Sequence, residues 1–499
     1  MKPTLLYNAH FVALQKRTHN ITAVLLNNGI IEKTFIVGKK LPTAMKKIDL
    51  KGNYVIPGFI DSHTHLISRG LELQRIDLGK CTSLSECLEK LRAAVQRDDD
   101  LAFGSNWDEF MWPHGEKNHL MKETLDKISK KKPVIMRRVC GHFAVVNTKA
   151  LECIPRQWKI VDRKNGFLYE NVVDNLNEIF KSSKGMLEKA IDLATAEAHS
   201  HGITTVHEIA TPERFRLLQE LKRQGRLRLR FAVYIPREYL HEVASLGLSS
   251  GLGDDVLKFA GIKIYVDGAI GAQTAALSRP YEHTNNKGML LITTQRLRNI
   301  AEIAEDNGIQ LMIHSIGDRA THAVMKTLER SLDKKSYLRH RLEHIELVDD
   351  YSIDAMARLN VIASMQPNFV RRWQTPGSMY ERYVGTRYKD MNCFKKLLSK
   401  GVRVIFGSDC MPIGPLYGIE GVVHHPSITG RLDPGEAMRC YTTAPAYATF
   451  DEDKKGMIET GKLGDLVVLD KNPLQEKSLC EAKIVMVFVD GELVYKKNE

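Results

Sequence analysis

The sequence lacks the cysteine spacing of a disulfide scaffold or a structural zinc module. No two of its eight cysteines are separated by only two residues, and the nearest pair is Cys81 and Cys87. Disulfide frameworks and structural zinc sites draw their cysteines from short, recurring spacings. The pattern therefore favours reduced thiols, and we expect a cytoplasmic protein.

Long apolar runs are also missing. No stretch approaches the roughly 20 consecutive apolar residues of a membrane span. The N-terminal residues Met1, Lys2, Pro3 and Thr4 do not open the apolar core of a signal peptide. These absences argue against a membrane partner, and we expect a soluble chain.

Basic residues are in excess but scattered. The net charge is +12, yet the densest basic run is only Lys130, Lys131 and Lys132, and no basic stretch is interleaved with aromatic residues. Nucleic-acid binding normally shows such a clustered pattern. We therefore interpret the charge as a solvated surface and expect no nucleic-acid partner.

What is present is typical of a large soluble enzyme. The chain has 499 residues, 43% of them hydrophobic and 26% charged. This length exceeds a usual single domain, so it predicts one large barrel with accessory elements or several domains.

Both ends of the chain are patterned as short strands. Asn27, Asn28 and Gly29 form a hairpin signal between apolar runs, and residues 464–470 and 484–491 are strand-like near the C-terminus. We predict one small β domain built from residues 1–54 and 456–499.

Between these ends, apolar runs alternate with helical periodicity, which is typical of a parallel α/β fold. Eight such runs predict a (β/α)8 TIM barrel over residues 55–455. They are 55–60, 203–207, 227–235, 259–266, 309–314, 339–344, 361–367 and 402–409. Residues 70–185 are expected to form an α+β insertion between the first two strands that covers the active site. Trp107 and Trp112 in it are interpreted as buried anchors.

Metal-ligand residue types stand at the ends of four of these strands. Alternate residues of a strand point to the same side, so His63 and His65 can face one point. Catalytic groups of such barrels lie at the C-terminal strand ends, where this chain also has His314, His344 and Asp409. Any one of these residues could be an ordinary polar contact, but their joint placement predicts a metal site.

The run Gly-Phe-Ile-Asp-Ser-His-Thr-His at 58–65, with Gly-Ser-Asp at 407–409, resembles the amidohydrolase superfamily. The sequence is more narrowly similar to amidohydrolase family 3, the YtcJ-like metal-dependent hydrolases that include N-substituted formamide deformylases. Segments 106–109, 137–142, 261–269 and 461–470 carry this likeness, which spans residues 5–495.

The resemblance implies two divalent metal ions, expected to be Zn²⁺. His63, His65 and Asp409 would hold the first ion, and His314 and His344 the second. Lys263 would carry a CO2-derived carbamate that bridges both, opposite a bridging hydroxide. The alternative for Lys263 is an ordinary lysine paired with Asp267 or another acid.

The resemblance also suggests roles in catalysis and substrate binding. Asp409 would act as general base and acid, and His142 would contact the substrate carbonyl or the oxyanion; for His142 a plain loop contact is equally open. Cys140 stands where relatives often have Asp, so no carboxylate role is carried over there. His207 is interpreted as a packed neighbour and Cys410 as a small packed residue.

We therefore expect hydrolysis of a non-peptide C–N bond in an N-acyl amine, an N-formyl amine or a cyclic amide. Alternatives are an ester, lactone or phosphotriester substrate at the same site, or a catalytically silent binding scaffold. The expected partner is a small-molecule substrate, and a homodimer is left open.

Overall fold

The structure is a computed structural model in which part of the chain is described. The described residues are 3–12, 14, 21–42, 46–96, 101–139, 143–156, 161–169, 171–174, 176–180, 182–332 and 336–498. The chain divides into two compact units. One comprises Met1–Leu66 and Thr195–Glu499, and the other comprises Ile67–Ala194.

Eight strands within the described residues form one parallel sheet in the first unit, each hydrogen-bonded to the next in chain order. They are β1 Phe59–Thr64, β2 Ile203–Ile209, β3 Arg230–Pro236, β4 Leu257–Tyr265, β5 Leu311–Ser315, β6 Arg341–His344, β7 Ile362–Met365 and β8 Val404–Phe406. Nearly all their residues are buried, as expected for a parallel sheet covered by helices. The predicted (β/α)8 TIM barrel is confirmed.

The first and last barrel strands meet just beyond β8. The backbone N–H of Asp409 donates to the carbonyl oxygen of His63 at 2.8 Å. The approach is close, because a Cβ atom on Gly407 would lie only 2.4 Å from the backbone nitrogen of His63. A glycine at position 407 therefore lets the end of β8 lie against the end of β1.

The first barrel strand begins later than the sequence predicted. Residues Tyr54–Pro57 form a strand of a different sheet, paired antiparallel with Leu466–Leu469. The chain changes sheet at Pro57 and Gly58, where a Cβ atom on Gly58 would lie 2.2 Å from Oγ1 of Thr204. The apolar run 55–60 is thus divided between two sheets, and hydrophobicity alone does not show the division.

Helices follow β2 to β7 in turn. They are α1 Pro212–Arg223, α2 Leu240–Ser245, α3 Thr294–Asp306, α4 Asp318–Ser331, α5 Asp350–Leu359 and α6 Phe394–Ser399. Thr211, Thr293 and Asp349 cap α1, α3 and α5 by accepting backbone N–H groups of the first turn. Further α-helices are Lys184–Ser200, which crosses the boundary between the units before β2, Pro367–Trp373 and Met379–Val384 after β7, and Pro415–Val423, Pro434–Cys440, Thr443–Ala448 and Glu476–Leu479 after β8.

Strands from both chain ends form two smaller sheets in the first unit. The four-stranded sheet contains Thr4–Tyr7, Ile21–Asn27, Ile30–Ile36 and Lys46–Asp49. The five-stranded sheet contains His10–Phe11, Tyr54–Pro57, Leu466–Leu469, Ile484–Val489 and Glu492–Lys496. They share a core in which Leu6 and Val24 pack with Leu466 and Phe488.

The second unit has a six-stranded mixed sheet. Its strands in order are Val161–Asp162, Phe167–Tyr169, Phe143–Val146, Val134–Arg138, Ala102–Trp107 and Ile76–Asp77. Its helices are Leu66–Leu73 at the boundary, Leu84–Gln96, Lys122–Asp126, Thr148–Cys153, Asn171–Asp174 and Leu176–Ile179. Trp107 and Trp112 are buried and stacked, with ring centroids 5.3 Å apart. They anchor the core of this unit, as interpreted from the sequence.

No helix among the described residues combines the length and apolar character needed to cross a bilayer.

Candidate metal centre

The end of β1 carries two of the predicted ligands. His63 is buried, while the side chain of His65, one residue beyond the strand, is 38% exposed. A carboxylate from β2 fixes the backbone around His65. Oε2 of Glu208 accepts the Thr64 hydroxyl and the Leu66 backbone N–H, both at 2.7 Å. Glu208 of β2 therefore fixes the end of β1, which carries both imidazoles.

A buried carboxylate orients the ring of His63. Nδ1 of His63 lies 2.5 Å from Oε2 of Glu343 on β6. The Glu343 carboxylate in turn accepts Arg341 Nε at 2.6 Å and the Ser364 hydroxyl at 2.7 Å. An Nδ1–H donated to Glu343 leaves Nε2 of His63 with a free lone pair. In metal sites, a carboxylate commonly accepts the second ring N–H of a metal-binding histidine and so fixes the orientation of the imidazole.

His314 and His344 are arranged in the same way. Nε2 of His314 donates to the Gly268 carbonyl at 3.1 Å, and Nδ1 of His344 donates to Oε1 of Gln366 at 2.6 Å. Each ring then retains one nitrogen without a proton. Ring centroids lie 4.6 Å apart for His314 and His344 and 4.8 Å apart for His63 and His344. Three imidazoles thus converge, each held by one acceptor.

All four candidate imidazoles, including the partly exposed His65, are held in the neutral form. Burial, reinforced by the nearby charge of Lys263, lowers the pKa of His65 to about 4 and that of His314 to about 3. The pKa values of His63 and His344 are also held well below their ordinary range, chiefly by burial. Neutral imidazole is the form that binds a metal ion.

Asp409 lies beyond β8 in a left-handed backbone conformation, with φ of 52°. Its neighbour Ser408 is fixed by Asp61 of β1, whose carboxylate accepts the Ser408 backbone N–H at 2.8 Å and its hydroxyl at 2.5 Å. This contact places Oδ1 of Asp409 3.4 Å from Nε2 of His65 and 3.8 Å from Nε2 of His63. Ligand atoms of these three residues lie within 4.8 Å of one another.

Lys263 lies near the end of β4 with only 1% of its surface exposed. Its Nζ is 3.5 Å from Nε2 of His63. Burial lowers the pKa of Lys263 to about 8, although Glu343 and Asp409 oppose the shift. Asp267, the alternative partner, instead accepts backbone N–H groups of Ala276, Ile316 and Gly317 at 2.9–3.0 Å.

Nitrogen and carboxylate donors of this kind suit Zn²⁺ and similar divalent ions. The site therefore fits the metals that the resemblance implies. One ring nitrogen each of His63, His314 and His344 lies against an acceptor, and the other carries no proton. Asp409 supplies a carboxylate, and Lys263 supplies an amine that burial makes easier to deprotonate.

Other predicted residues lie elsewhere. His142 and Cys140 are outside the described residues. His207 is fully buried and its Nδ1 accepts from Nη1 of Arg341 at 2.8 Å, which makes it a packed neighbour. Burial raises the pKa of the Cys410 thiol well above its usual range, so it is not an activated nucleophile.

Sequence reasoning missed the residues that support the ligands. Glu343, Gln366 and Glu208 were not singled out, although each fixes a ligand or its strand end. A signal existed for Glu343, since Arg341 and Glu343 are charged residues at alternate positions of a strand that ends in a ligand. Their presence inside a buried strand indicates a paired, functional network.

The sequence matches the amidohydrolase family over residues 46–495. It is 27% identical to YtcJ of Bacillus subtilis, over 95% of this chain and 96% of that protein. It is 24% identical to the N-substituted formamide deformylase of Arthrobacter pascens, over 100% of this chain and 99% of that protein. A metal-dependent hydrolase from Pyrococcus furiosus has a similar structure, with a TM-score of 0.83 and 26% identity, over 95% of this chain and 100% of that one.

The chain belongs to the amidohydrolase family. The family match and the metal-dependent hydrolase with the same fold both support a hydrolase.

Proposed function

We propose that this protein is a metal-dependent amidohydrolase that cleaves a non-peptide C–N bond, in an N-formyl amine, another N-acyl amine or a cyclic amide. The observation that carries the proposal is the donor set, in which His63, His314 and His344 each retain one free ring nitrogen beside Asp409 and Lys263. The full-length likeness to an N-substituted formamide deformylase favours N-formyl amines as the first class to test.

We assign the ligands to two groups. His63, His65 and Asp409 would hold one ion, because their ligand atoms already lie together. His314 and His344, whose rings lie 4.6 Å apart, would hold a second. Divalent ions in such a site lower the pKa of a water molecule and polarise a carbonyl group.

Lys263 would serve both groups after reaction with CO2. The neutral amine would form an N–C bond to CO2 and release one proton, which gives a carbamate whose two oxygens share one negative charge. Burial makes the neutral amine accessible, since it lowers the pKa of Lys263 to about 8. The position of Nζ, 3.5 Å from Nε2 of His63, places this group beside the first set of ligands.

Asp409 is the proposed proton carrier. Its Oδ1 lies at the exposed edge of the cluster, 3.4 Å from Nε2 of the half-exposed His65. A carboxylate there can accept the proton of the attacking water and deliver it to the departing amine nitrogen. The backbone N–H of Ser408 donates to the Asp61 carboxylate, and that of Asp409 donates to the His63 carbonyl oxygen. These hydrogen bonds hold the Asp409 carboxylate in place for both proton transfers.

A hydrolysis panel with and without chelation tests the proposal. The metal-loaded protein is incubated with N-formyl and N-acetyl amines, cyclic amides, lactones, esters and phosphotriesters. We expect turnover of a C–N substrate that chelation abolishes and added divalent metal restores. His65→Asn should abolish the metal-dependent turnover. His241→Asn, which replaces an exposed histidine of α2, should leave the turnover unchanged. Turnover confined to esters, lactones or phosphotriesters would refute the assigned bond, and no metal-dependent turnover would refute the enzyme.

A further inference from the structure

A cavity lies along helices α3 and α4. Its volume is about 690 Å³, and none of the six candidate metal ligands lines it. This volume falls within the range of small-molecule binding sites. Two small side chains of α4, Ala323 and Thr327, line the space beside Thr294 of α3. The cavity is therefore large enough for a ligand of its own.

The cavity wall is strongly basic. Arg319, Lys326 and Arg330 are seven and four residues apart on α4, a spacing that places them along one face of the helix. Arg298 of α3 lines the same cavity. Within the described part of the chain, Arg298, Lys326 and Arg330 form no ion pair with a carboxylate. Like charges that border one cavity repel one another, and an anion bound between them offsets this repulsion.

The two carboxylates in the wall are already engaged. Asp318 accepts the Ser278 backbone N–H at 2.8 Å and also its hydroxyl. Asp349 accepts from Nδ1 of His322 at 2.6 Å and from the Ser352 backbone N–H at 2.8 Å. Both carboxylates therefore fix helix ends and neighbouring side chains, and among the described residues neither forms an ion pair with an arginine or lysine of the wall. Four basic side chains against these two carboxylates give the wall an excess of positive charge.

The side-chain hydrogen bonds of Arg319 in this wall are made to backbone carbonyl groups. Its Nη2 donates to the backbone carbonyls of Lys287 and Gly288 at 3.2 and 3.0 Å. Carbonyl oxygens satisfy these donors but do not neutralise a guanidinium. Four basic side chains thus border one cavity.

We propose that this cavity is a second ligand site that binds a phosphate group, either free or carried by a small metabolite. Arginine forks match the oxygens of a phosphate, and its double negative charge offsets more of the repulsion than a single carboxylate would. Thr294, whose side chain is exposed, lines the same cavity and offers a hydroxyl to the uncharged remainder of a phosphate ester. The proposal is independent of the hydrolytic reaction.

The test is calorimetric titration of the metal-loaded full chain at constant ionic strength. The probes are inorganic phosphate, glucose 6-phosphate and glucose. We expect saturable binding of at least one phosphate probe at one site per chain, with a Kd below about 1 mM, and no binding of glucose. Tighter binding of glucose 6-phosphate would assign the site to phosphate esters, and equal binding would assign it to free phosphate.

Charge-removing variants locate the site. Arg298→Gln and Arg330→Gln should each raise the Kd by about tenfold or more. Arg296→Gln, which removes the same charge from an exposed position of the same helix outside the cavity, should leave it unchanged. The proposal would be overturned if neither phosphate probe bound saturably, or if Arg296→Gln raised the Kd as much as the cavity variants do. It would also be overturned if citrate bound as tightly as the phosphate probes. Thermal unfolding of each variant checks that the fold is retained.

Discussion

Nδ1 of His63 lies 2.5 Å from Oε2 of Glu343, although 280 residues separate them in the chain. The contact joins the first and sixth barrel strands below the cluster of candidate ligands. Because the carboxylate accepts the Nδ1 proton, it selects the tautomer of His63 that leaves Nε2 free. Arg341 and Ser364 fix the carboxylate, so the orientation of the candidate ligand His63 depends on residues of other strands.

This relationship predicts that Glu343→Gln will weaken metal binding by about 10–100-fold, because the amide no longer fixes His63 as a carboxylate does. Competition with a fluorescent chelator measures the affinity. The matched control is Glu305→Gln, which alters another glutamate–histidine pair, to Nε2 of His340 at 2.7 Å, away from the candidate ligands. Equal metal affinity in Glu343→Gln and the parent protein would show that the contact does not support a ligand.

Replacement of Asp409 by Asn should lower kcat for the best C–N substrate by about 10²–10⁴-fold, because the amide cannot take up or deliver the proton. Metal content, measured on the same preparation, should be at least partly retained through the histidines. Asp255→Asn, which alters a surface carboxylate paired with Lys454, is the control and should leave kcat unchanged. Near-full turnover in Asp409→Asn would exclude its role as general base and acid.

A carbamate on Lys263 should give a ¹³C resonance when the protein is equilibrated with ¹³C-labelled bicarbonate. The signal is expected because burial lowers the pKa of Lys263 to about 8, which leaves an appreciable neutral fraction near neutral pH. Lys263→Arg should abolish it, whereas Lys258→Arg should keep it. Lys258 lies on the same strand but forms an ion pair with Asp451. A signal that survives in Lys263→Arg would place the carbamate elsewhere.

The pH dependence of stability should include a contribution from His199, which donates from Nε2 to the Arg228 carbonyl at 3.0 Å. Burial lowers its pKa in the folded chain to about 4, from an ordinary value of 6.5. The unfolded chain therefore binds the extra proton between these values. The free energy of unfolding should fall by about 3 kcal/mol from this group as the pH drops from 6.5 to 4.

The glutamine variant His199→Gln keeps a donor for the same carbonyl but does not titrate, so its stability should vary less with pH over that interval. Denaturant unfolding at several pH values measures the difference. His241→Gln, at an exposed position, should follow the parent protein. An unchanged pH profile in His199→Gln would contradict the assigned linkage.

Much of the fold and the candidate ligand set could be predicted because both depend on periodic or local signals. Buried parallel strands leave apolar runs, and His63 and His65 are two residues apart on one of them. The later ligands His314, His344 and Asp409 follow strand ends that the same periodicity marks. The role of Lys263 could be predicted only from the family resemblance, since a lysine inside a strand has no distinctive spacing.

The remainder depends on contacts between distant parts of the chain. The boundary at Pro57 and Gly58 is set by a close approach to Thr204, which the apolar run 55–60 does not show. Asp61 lies inside the recognised motif, but its contact with Ser408 is visible only when β1 and β8 are adjacent. The acceptor behind each histidine likewise comes from another strand or loop.

The central claim is that the histidine and carboxylate cluster at the strand ends holds the metal needed for hydrolysis. Elemental analysis of the chain purified with divalent metal tests it most directly. We predict about two ions per chain, a loss of at least one ion in His63→Asn, and no loss in His241→Asn. A single ion would contradict the two-ion arrangement. No stoichiometric metal, or an equal loss in both variants, would contradict the metal centre itself.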